Sequence, residues 1–264
     1  MNDDVFQRYS AYYDLLYRDK DYAAEADYAS RTLRAASPRT STLLEFGSGT
    51  GRHGRLLARQ GFQVFGVERS ASMVAVARAP SVLPGSGPAA APGEGSFDCR
   101  QGDIRTVRLD RTFDAVLSLF HVVSYQSANA DALQTFANAA RHLQPGGRFF
   151  FDVWHGPAVL RERPAVRVKR LEDATTRLTR IAEPELDVAA SVVTVRYTML
   201  AENRADGRLV TFREEHRMRY FFPTEIELLA GQTGFTVERT EEFLTGRPPA
   251  ESTWGVAYLL RKSD

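Results

Sequence analysis

Glu45-Phe46-Gly47-Ser48-Gly49-Thr50-Gly51 stands between a short apolar run, 41–46, and a helical stretch, 52–60, that Gly61 stops. Glycine there lets the backbone turn sharply and lets a ligand approach with no Cβ in the way. The helix behind the turn starts with unpaired N–H groups and a partial positive charge, so an anionic group is welcome. Spacing narrows the choice of ligand. A dinucleotide fingerprint runs G-x-G-x-x-G, with an acidic residue ~20 positions on for the ribose. Here the third glycine comes one position early and Arg52 stands where that fingerprint wants glycine. The spacing argues against a nicotinamide oxidoreductase. The acidic position is kept: Glu68 ends the next strand-like run, seventeen residues after Gly51. A carboxylate there can accept from both ribose hydroxyls.

Outward from this turn the pattern alternates. The spacing predicts strands over 41–46, 62–68, 97–101, 113–119 and 148–153. Helices are expected between them at 52–60, from Ser70 to about Arg78, and from about Asp131 to Leu143. Pro145-Gly146-Gly147 is expected to end the last helix and turn the chain into its strand. Alternation of this kind builds a parallel sheet covered on both faces. Residues 80–95, rich in Pro, Gly, Ala and Ser, read as a mobile surface loop. After Pro157 the rhythm changes to strands at 166–171, 178–181, 191–199 and 210–220, with Asp206-Gly207 as a hairpin signal. A helix opened by Pro223 and two strands, 235–243 and 254–261, close the chain. Upstream of the turn, 5–36 reads as one helix rich in tyrosine.

Composition bounds the function. The chain has 264 residues, a formal charge of +1 and one cysteine, Cys99. A near-neutral balance points away from a nucleic-acid partner. A single cysteine rules out an internal disulfide and fits a reducing compartment. The acidic start, Met1-Asn2-Asp3-Asp4, has no apolar run behind it, so neither signal peptide nor membrane span is expected and the location reads as cytoplasmic. The basic stretch 161–170 reads as a solvated strand face. No histidine and carboxylate cluster has metal-ligand spacing, so no metal is expected.

The ordered set E-F-G-S-G-T-G at 45–51, V-E at 67–68, Q-G-D-I at 101–104, F-D-A-V-L-S-L-F at 113–120 and L-Q-P-G-G-R-F-F-F-D at 143–152 resembles the class I S-adenosylmethionine-dependent methyltransferases. The resemblance implies a Rossmann-like α/β fold, a seven-stranded mostly parallel sheet with one antiparallel strand, and an antiparallel β cap inserted after strand 5. It implies a cofactor-binding core over 41–157 and 221–264, a substrate cap over 158–220 and an N-terminal helical lid over 1–40. It places Gly47, Gly49 and Gly51 against the methionine part of S-adenosylmethionine and Glu68 on the ribose. Asp103 falls at the adenine edge, with Ile104 against the ring. Glu45, Arg69, Met73, Gly102 and Leu119 complete the expected cofactor site, with Tyr22 from the lid.

Tyr13-Asp14, Lys20-Asp21-Tyr22 and Glu214-Glu215-His216-Arg217 look in addition like the sugar N-methyltransferases, which act on amino groups of nucleotide-linked deoxysugars. In that group an N-terminal tyrosine and a histidine past the fourth strand sit near the methyl-transfer site. Tyr13 fits the first position; His121 or Tyr125 fits the second. The expected acceptor is therefore a small molecule, an amino sugar or similar amine. A small-molecule O-methyltransferase and a cofactor-binding protein without transfer activity stay open, and the cap's strand faces suit a homodimer as well as a substrate. His121, His155 and His216 are the candidate bases: histidine titrates near neutral pH, and the first two follow the carboxyl ends of strands 4 and 5. His53 reads as structural or near the methionine end of the cofactor, and His142 as a satisfied surface residue. Asp152 and Trp154 share the same edge and shape the pocket.

Overall fold

The computed structural model describes residues 10–79, 93 and 95–263. Five strands, β1 (Thr42–Phe46), β2 (Gln63–Glu68), β3 (Ser96–Gln101), β4 (Phe113–Ser118) and β5 (Leu143–His155), lie parallel in the order β3-β2-β1-β4-β5. Their apolar runs are continuous because both faces are covered. Neighbouring residues point oppositely, as strand geometry requires. Leu44, Val116, Phe149 and Phe151 face one layer, while Leu43, Ala115, Leu117 and Phe150 face the other.

Helices α2 (Tyr22–Ala36) and α3 (Arg52–Arg59) cover the second face through Ala26, Ala29, Leu33 and Leu57. Helix α4 (Ala71–Arg78) packs beside β3 through Val74 and Ala77. Helices α5 (Asn129–Arg141) and α7 (Pro223–Gln232) cover the first face through Phe136 and Ile226. Two late strands, β10 (Phe235–Glu242) and β11 (Gly255–Lys262), finish the sheet, β11 antiparallel to both β5 and β10. The core sheet thus carries seven strands with β11 reversed, the class I arrangement.

The cap follows the short helix α6 (Gly156–Glu162). Its strands β6 (Arg167–Glu172), β7 (Thr176–Asp187), β8 (Val192–Asn203) and β9 (Leu209–Phe221) are antiparallel neighbours in chain order. Cap and core share a seam. Past the end of β4, the tip of β5 pairs in parallel with β9, Trp154 with Tyr220 and His155 with Phe221.

Three of these expectations change. The N-terminal stretch is two helices, α1 (Ser10–Leu16) and α2, because Asp21 caps the second by accepting from Ala24 N at 2.8 Å. The first packs on the cap, with Leu16 buried among Leu171, Met199 and Phe212, and only the second packs on the core. Pro145-Gly146-Gly147 sits inside β5 as a bulge: Leu143 already pairs with Phe113, and the register shifts before Arg148. The hairpin expected at Asp206-Gly207 is present, its loop spanning 204–208 with Gly207 N donating to Asn203 O. Residues 161 and 162 of the basic stretch end helix α6 rather than start a strand. The loop expected at 80–95 and Tyr9 fall mainly outside the described residues. No helix among the described residues is long and apolar enough to cross a membrane.

Candidate active site

The glycine turn closes over the end of β2, where Gly47 N and Ser48 N donate to Val67 O at 2.8 and 3.2 Å. Gly47, Gly49 and Gly51 hold φ of 71, 54 and 78°, a region that penalises a side chain. A Cβ on Gly47 would meet Val122 at 2.6 Å and one on Gly51 would meet the Phe97 ring at 2.6 Å. At Gly49 no atom comes within 4 Å, so the turn opens there. Helix α3 starts behind it with no side-chain cap, leaving its amino end to a ligand.

Glu68 locks this turn to β2. One carboxylate oxygen accepts from Gly49 N at 2.9 Å and the other from Ser70 N at 2.8 Å. Burial raises its pKa, and those N–H groups work against the rise. Behind it Glu45 is 1% exposed, with Oε2 buried and unpartnered. Burial, then the charge of Glu68, push Glu45 up to about 8. The carboxyl oxygens of Glu45 and Glu68 beside an open glycine turn offer hydrogen-bond acceptors to an ammonium group, and an uncapped helix start favours an anion. S-adenosylmethionine, with sulfonium, ammonium and carboxylate groups, fits that combination.

Past the end of β3, Gly102 N donates to Glu68 O at 2.9 Å. Asp103 is clasped by Arg105, whose Nε lies 2.9 and 3.1 Å from the two carboxylate oxygens, and Arg105 also holds Asp131 at 2.7 Å. Burial raises the Asp103 pKa, but the Arg105 bonds prevail and hold it below the ordinary carboxylate value. Ile104, Met73 and Leu119 are buried, whereas Arg69 is exposed.

On the N-terminal side, Lys20 pairs with Glu25, and Glu25 holds His53 Nε2 at 2.7 Å, joining α2 to α3. The Tyr22 ring lies against His53 at 4.9 Å, with the Arg52 guanidinium 4.9 Å from its centre. Burial pushes the Tyr22 hydroxyl up to about 12 and Tyr13 well above its ordinary value. The Lys20 ammonium stands 3.9 Å from the Phe120 ring centre.

Phe120 and His121, directly after β4, hold consecutive positive φ of 66 and 60°. Each such residue costs roughly 1–2 kcal/mol of backbone strain. Asp152, fully buried on β5, holds the bend: His121 N lies 3.2 Å from both carboxylate oxygens and His121 Nδ1 lies 2.6 Å from Oδ2. The ring contact is close yet off the ideal hydrogen-bond angle. Burial raises the Asp152 pKa, but His121 and then Lys20 outweigh it and keep the carboxylate ionised. Trp154 stands edge-on to His121 at 6.3 Å.

The next turn, Val122–Tyr125, carries Tyr125 to the cap, where its hydroxyl meets His216 Nδ1 at 2.8 Å. Tyr125 and His216 thus meet where the turn after β4 reaches β9, while His121 stands with Asp152 and Trp154. His155 is fastened elsewhere: Nδ1 lies 3.1 Å from Thr253 O in the core–cap seam, and burial lowers its pKa. His142 is satisfied, but it is buried and not on the surface. Its Nε2 accepts from Leu109 N at 3.1 Å and its Nδ1 meets Asn138 O at 2.7 Å. A separate concavity of about 470 Å³, lined by Thr42, Phe65, Arg108 and Arg111, lies at the amino ends of the strands, the edge at which open α/β sheets do not bind ligands.

The orienting role of Asp152, the Lys20–Glu25–His53 chain and the Arg105 clasp had no local signal in the sequence. Only the i, i+2 spacing of Asp103 and Arg105 hints at the last.

Residues 44–151 match the methyltransferase domain family. The chain is 29% identical over 238 residues to the dTDP-3-amino-3,4,6-trideoxy-alpha-D-glucopyranose N,N-dimethyltransferase of Streptomyces venezuelae, covering 89% of this chain and 93% of that one. It is 29% identical to the dTDP-3-amino-3,6-dideoxy-alpha-D-glucopyranose N,N-dimethyltransferase of Streptomyces fradiae, covering 89% and 85%. Among solved structures, Streptomyces venezuelae DesVI superposes with a TM-score of 0.77 at 26% identity, covering 97% and 98%. An S-adenosylmethionine-bound amino pentose methyltransferase from Micromonospora echinaspora superposes with a TM-score of 0.73 at 27% identity, covering 98% of each chain.

Proposed function

We propose that this chain, an S-adenosylmethionine-dependent methyltransferase, methylates the amino group of a nucleotide-linked deoxyamino sugar. The observation that carries the reading is the extent of the similarity. The relatives named for sugar N,N-dimethylation match across about nine tenths of the chain. The cap is the part most free to change when the acceptor changes.

Bound S-adenosylmethionine supplies a methyl group activated on sulfonium sulfur. We assign Gly47, Gly49 and Gly51 to its methionine end, with the buried Glu45 carboxyl nearby as a hydrogen-bond acceptor. Glu68 is assigned to the ribose, Asp103 and Ile104 to the adenine. Tyr22, Arg69, Met73, Gly102 and Leu119 border the same site. Residues 1–40 act as the lid, 158–220 as the acceptor cap, and 41–157 with 221–264 as the cofactor core. His121, held by Asp152, takes a hydrogen bond from the acceptor, and Tyr13 walls the pocket opposite. His155 serves the joint between core and cap. Alignment of the acceptor behind the methyl group is worth ~7–11 kcal/mol of barrier in favourable cases.

Nucleic acid has no part in this reading, a cytoplasmic location suits it, and a homodimer through the cap strands would show in sedimentation. The test is an acceptor pair: a dTDP-linked amino sugar and its analogue with hydroxyl at the same carbon. S-adenosylhomocysteine should form with the amine and not with the alcohol. Turnover of the alcohol alone would replace this reading with O-methylation, and turnover of neither would leave cofactor binding without this transfer.

A further inference from the structure

Four residues of the turn between α1 and α2 are charged, and one of them turns inward. Arg18, Asp19 and Asp21 are exposed, whereas the Lys20 side chain is 13% exposed. Burying an ammonium is costly unless it is paired, and Lys20 is held on several sides. Glu25 of α2 pairs with it, the Phe120 ring centre lies 3.9 Å away and the Tyr22 ring centre 5.1 Å. The fully buried Asp152 carboxylate feels the same charge. Tyr17, at the other end of the turn, meets the Phe120 ring edge-on at 5.0 Å. Two residues of the turn thus grip Phe120, whose φ of 66° opens the strained bend after β4.

The turn crosses a particular crevice. From β1 the sheet runs to β2 and β3 on one side and to β4 and β5 on the other. Open α/β sheets bind ligands outside the carboxyl ends of the strands where that direction reverses, here β1 and β4. On the β1 bank, Tyr22 lies against Arg52 and His53, directly behind the glycine turn, and Glu25 holds His53. On the β4 bank, Lys20 and Tyr17 hold Phe120. The helices on either side of the turn have different supports. Helix α2 packs on the core, whereas α1 packs on the cap. There Lys169 Nζ donates to Leu16 O at 2.8 Å and Arg18 donates to Glu172 O at 2.6 Å.

We propose that residues 17–22 form a strap across the cofactor crevice, and that Lys20 fastens it to Phe120 and so gates the passage of S-adenosylmethionine. The strap gives physical form to the lid assigned above. It requires the cofactor at the glycine turn and does not depend on which acceptor is used. Opening parts Lys20 and Tyr17 from Phe120, while α1 stays on the cap and α2 on the core. The link between the helices takes up the motion. Such a gate acts alike on the free and the loaded protein, so it slows exchange in both directions and leaves affinity alone.

The test uses S-adenosylhomocysteine, which fills the site without reacting. Stopped-flow tryptophan fluorescence gives its association rate, and chasing labelled ligand with excess unlabelled ligand gives its dissociation rate. Lys20→Met removes the charge and keeps the length of the side chain; Lys20→Arg keeps the charge. In Lys20→Met both rate constants should rise together, about fivefold to thirtyfold, the span of a buried cation–π contact. Affinity should stay within about threefold of the unaltered protein, and Lys20→Arg should keep near-unaltered rates. Phe120→Leu removes the ring from the other bank and should reproduce the effect, and combining it with Lys20→Met should add little. Dissociation rising alone would make Lys20 a contact of the cofactor and overturn the gate, as would unchanged rates. No S-adenosylhomocysteine bound by the unaltered protein would overturn the cofactor placement, and the strap with it. Failure of the amino-sugar reading would leave these rates as they are, so the two fail separately.

Discussion

Replacing Glu45 by glutamine is expected to stabilise the protein by an amount that grows with pH. The carboxyl is 1% exposed, and burial with the neighbouring Glu68 charge moves its pKa from 4.5 to about 8. A folded-state pKa above the unfolded one means the folded chain keeps a proton that the unfolded chain gives up. Stability from this group is therefore complete below about 4.5 and is lost as pH rises through about 8. The full difference corresponds to about 5 kcal/mol above pH 8, and to about 3 kcal/mol at neutral pH. Glutamine has the shape of the protonated acid and does not titrate, so Glu45→Gln escapes this loss. For a chain of this length about 2 °C per kcal/mol is expected, which gives about 6 °C at neutral pH. Scanning calorimetry of both proteins from about pH 4.5 to 9 reads the effect. The two melting curves should meet at the acid end and diverge upward. A constant offset across the range, or a variant that melts lower at about pH 8, would refute the coupled, proton-holding carboxyl.

Glu68→Ala removes the acceptor of Gly49 N and Ser70 N and the proposed ribose partner. Calorimetric titration with S-adenosylmethionine should show affinity falling tenfold or more, in line with the ~1.5–3 kcal/mol of a charge-assisted hydrogen bond. His121→Ala and Asp152→Asn should each lower turnover more than cofactor affinity, by about a hundredfold for a general acid–base or positioning group, and unchanged turnover would remove the pair from the site. The glycine turn should respond unevenly to alanine. At Gly49 only the φ of 54° opposes it, for about 1–2 kcal/mol. At Gly51 the 2.6 Å approach to Phe97 adds overpacking, for ~1–3 kcal/mol more, and the two melting points separate accordingly.

The parallel core was legible because its signals are local: β-branched runs ended by glycine, and a cap residue such as Ser70, whose hydroxyl accepts from Met73 N. The break between α1 and α2 was not, since tyrosines at helical spacing continue across 17–22 while the chain changes partner from cap to core. Pro145-Gly146-Gly147 misled in the opposite sense, because a turn signal and a bulge signal use the same residues. Glu68 and the glycine turn could be placed from spacing alone. Asp152 could not be tied to His121, which it contacts 31 positions away, nor Tyr125 to His216 across 91. His142 looked like a surface residue because a helix end is usually wet, yet here it receives the Leu109 N–H.

The most direct test is transfer from S-adenosylmethionine labelled with carbon-13 in its methyl group to a dTDP-linked amino sugar that also carries free hydroxyls. The carbon chemical shift and its coupling to sugar protons identify the atom that receives the label. The account predicts label on nitrogen alone, as one methyl and then two. Label on an oxygen, or label that stays in S-adenosylmethionine while the cofactor binds, would contradict it.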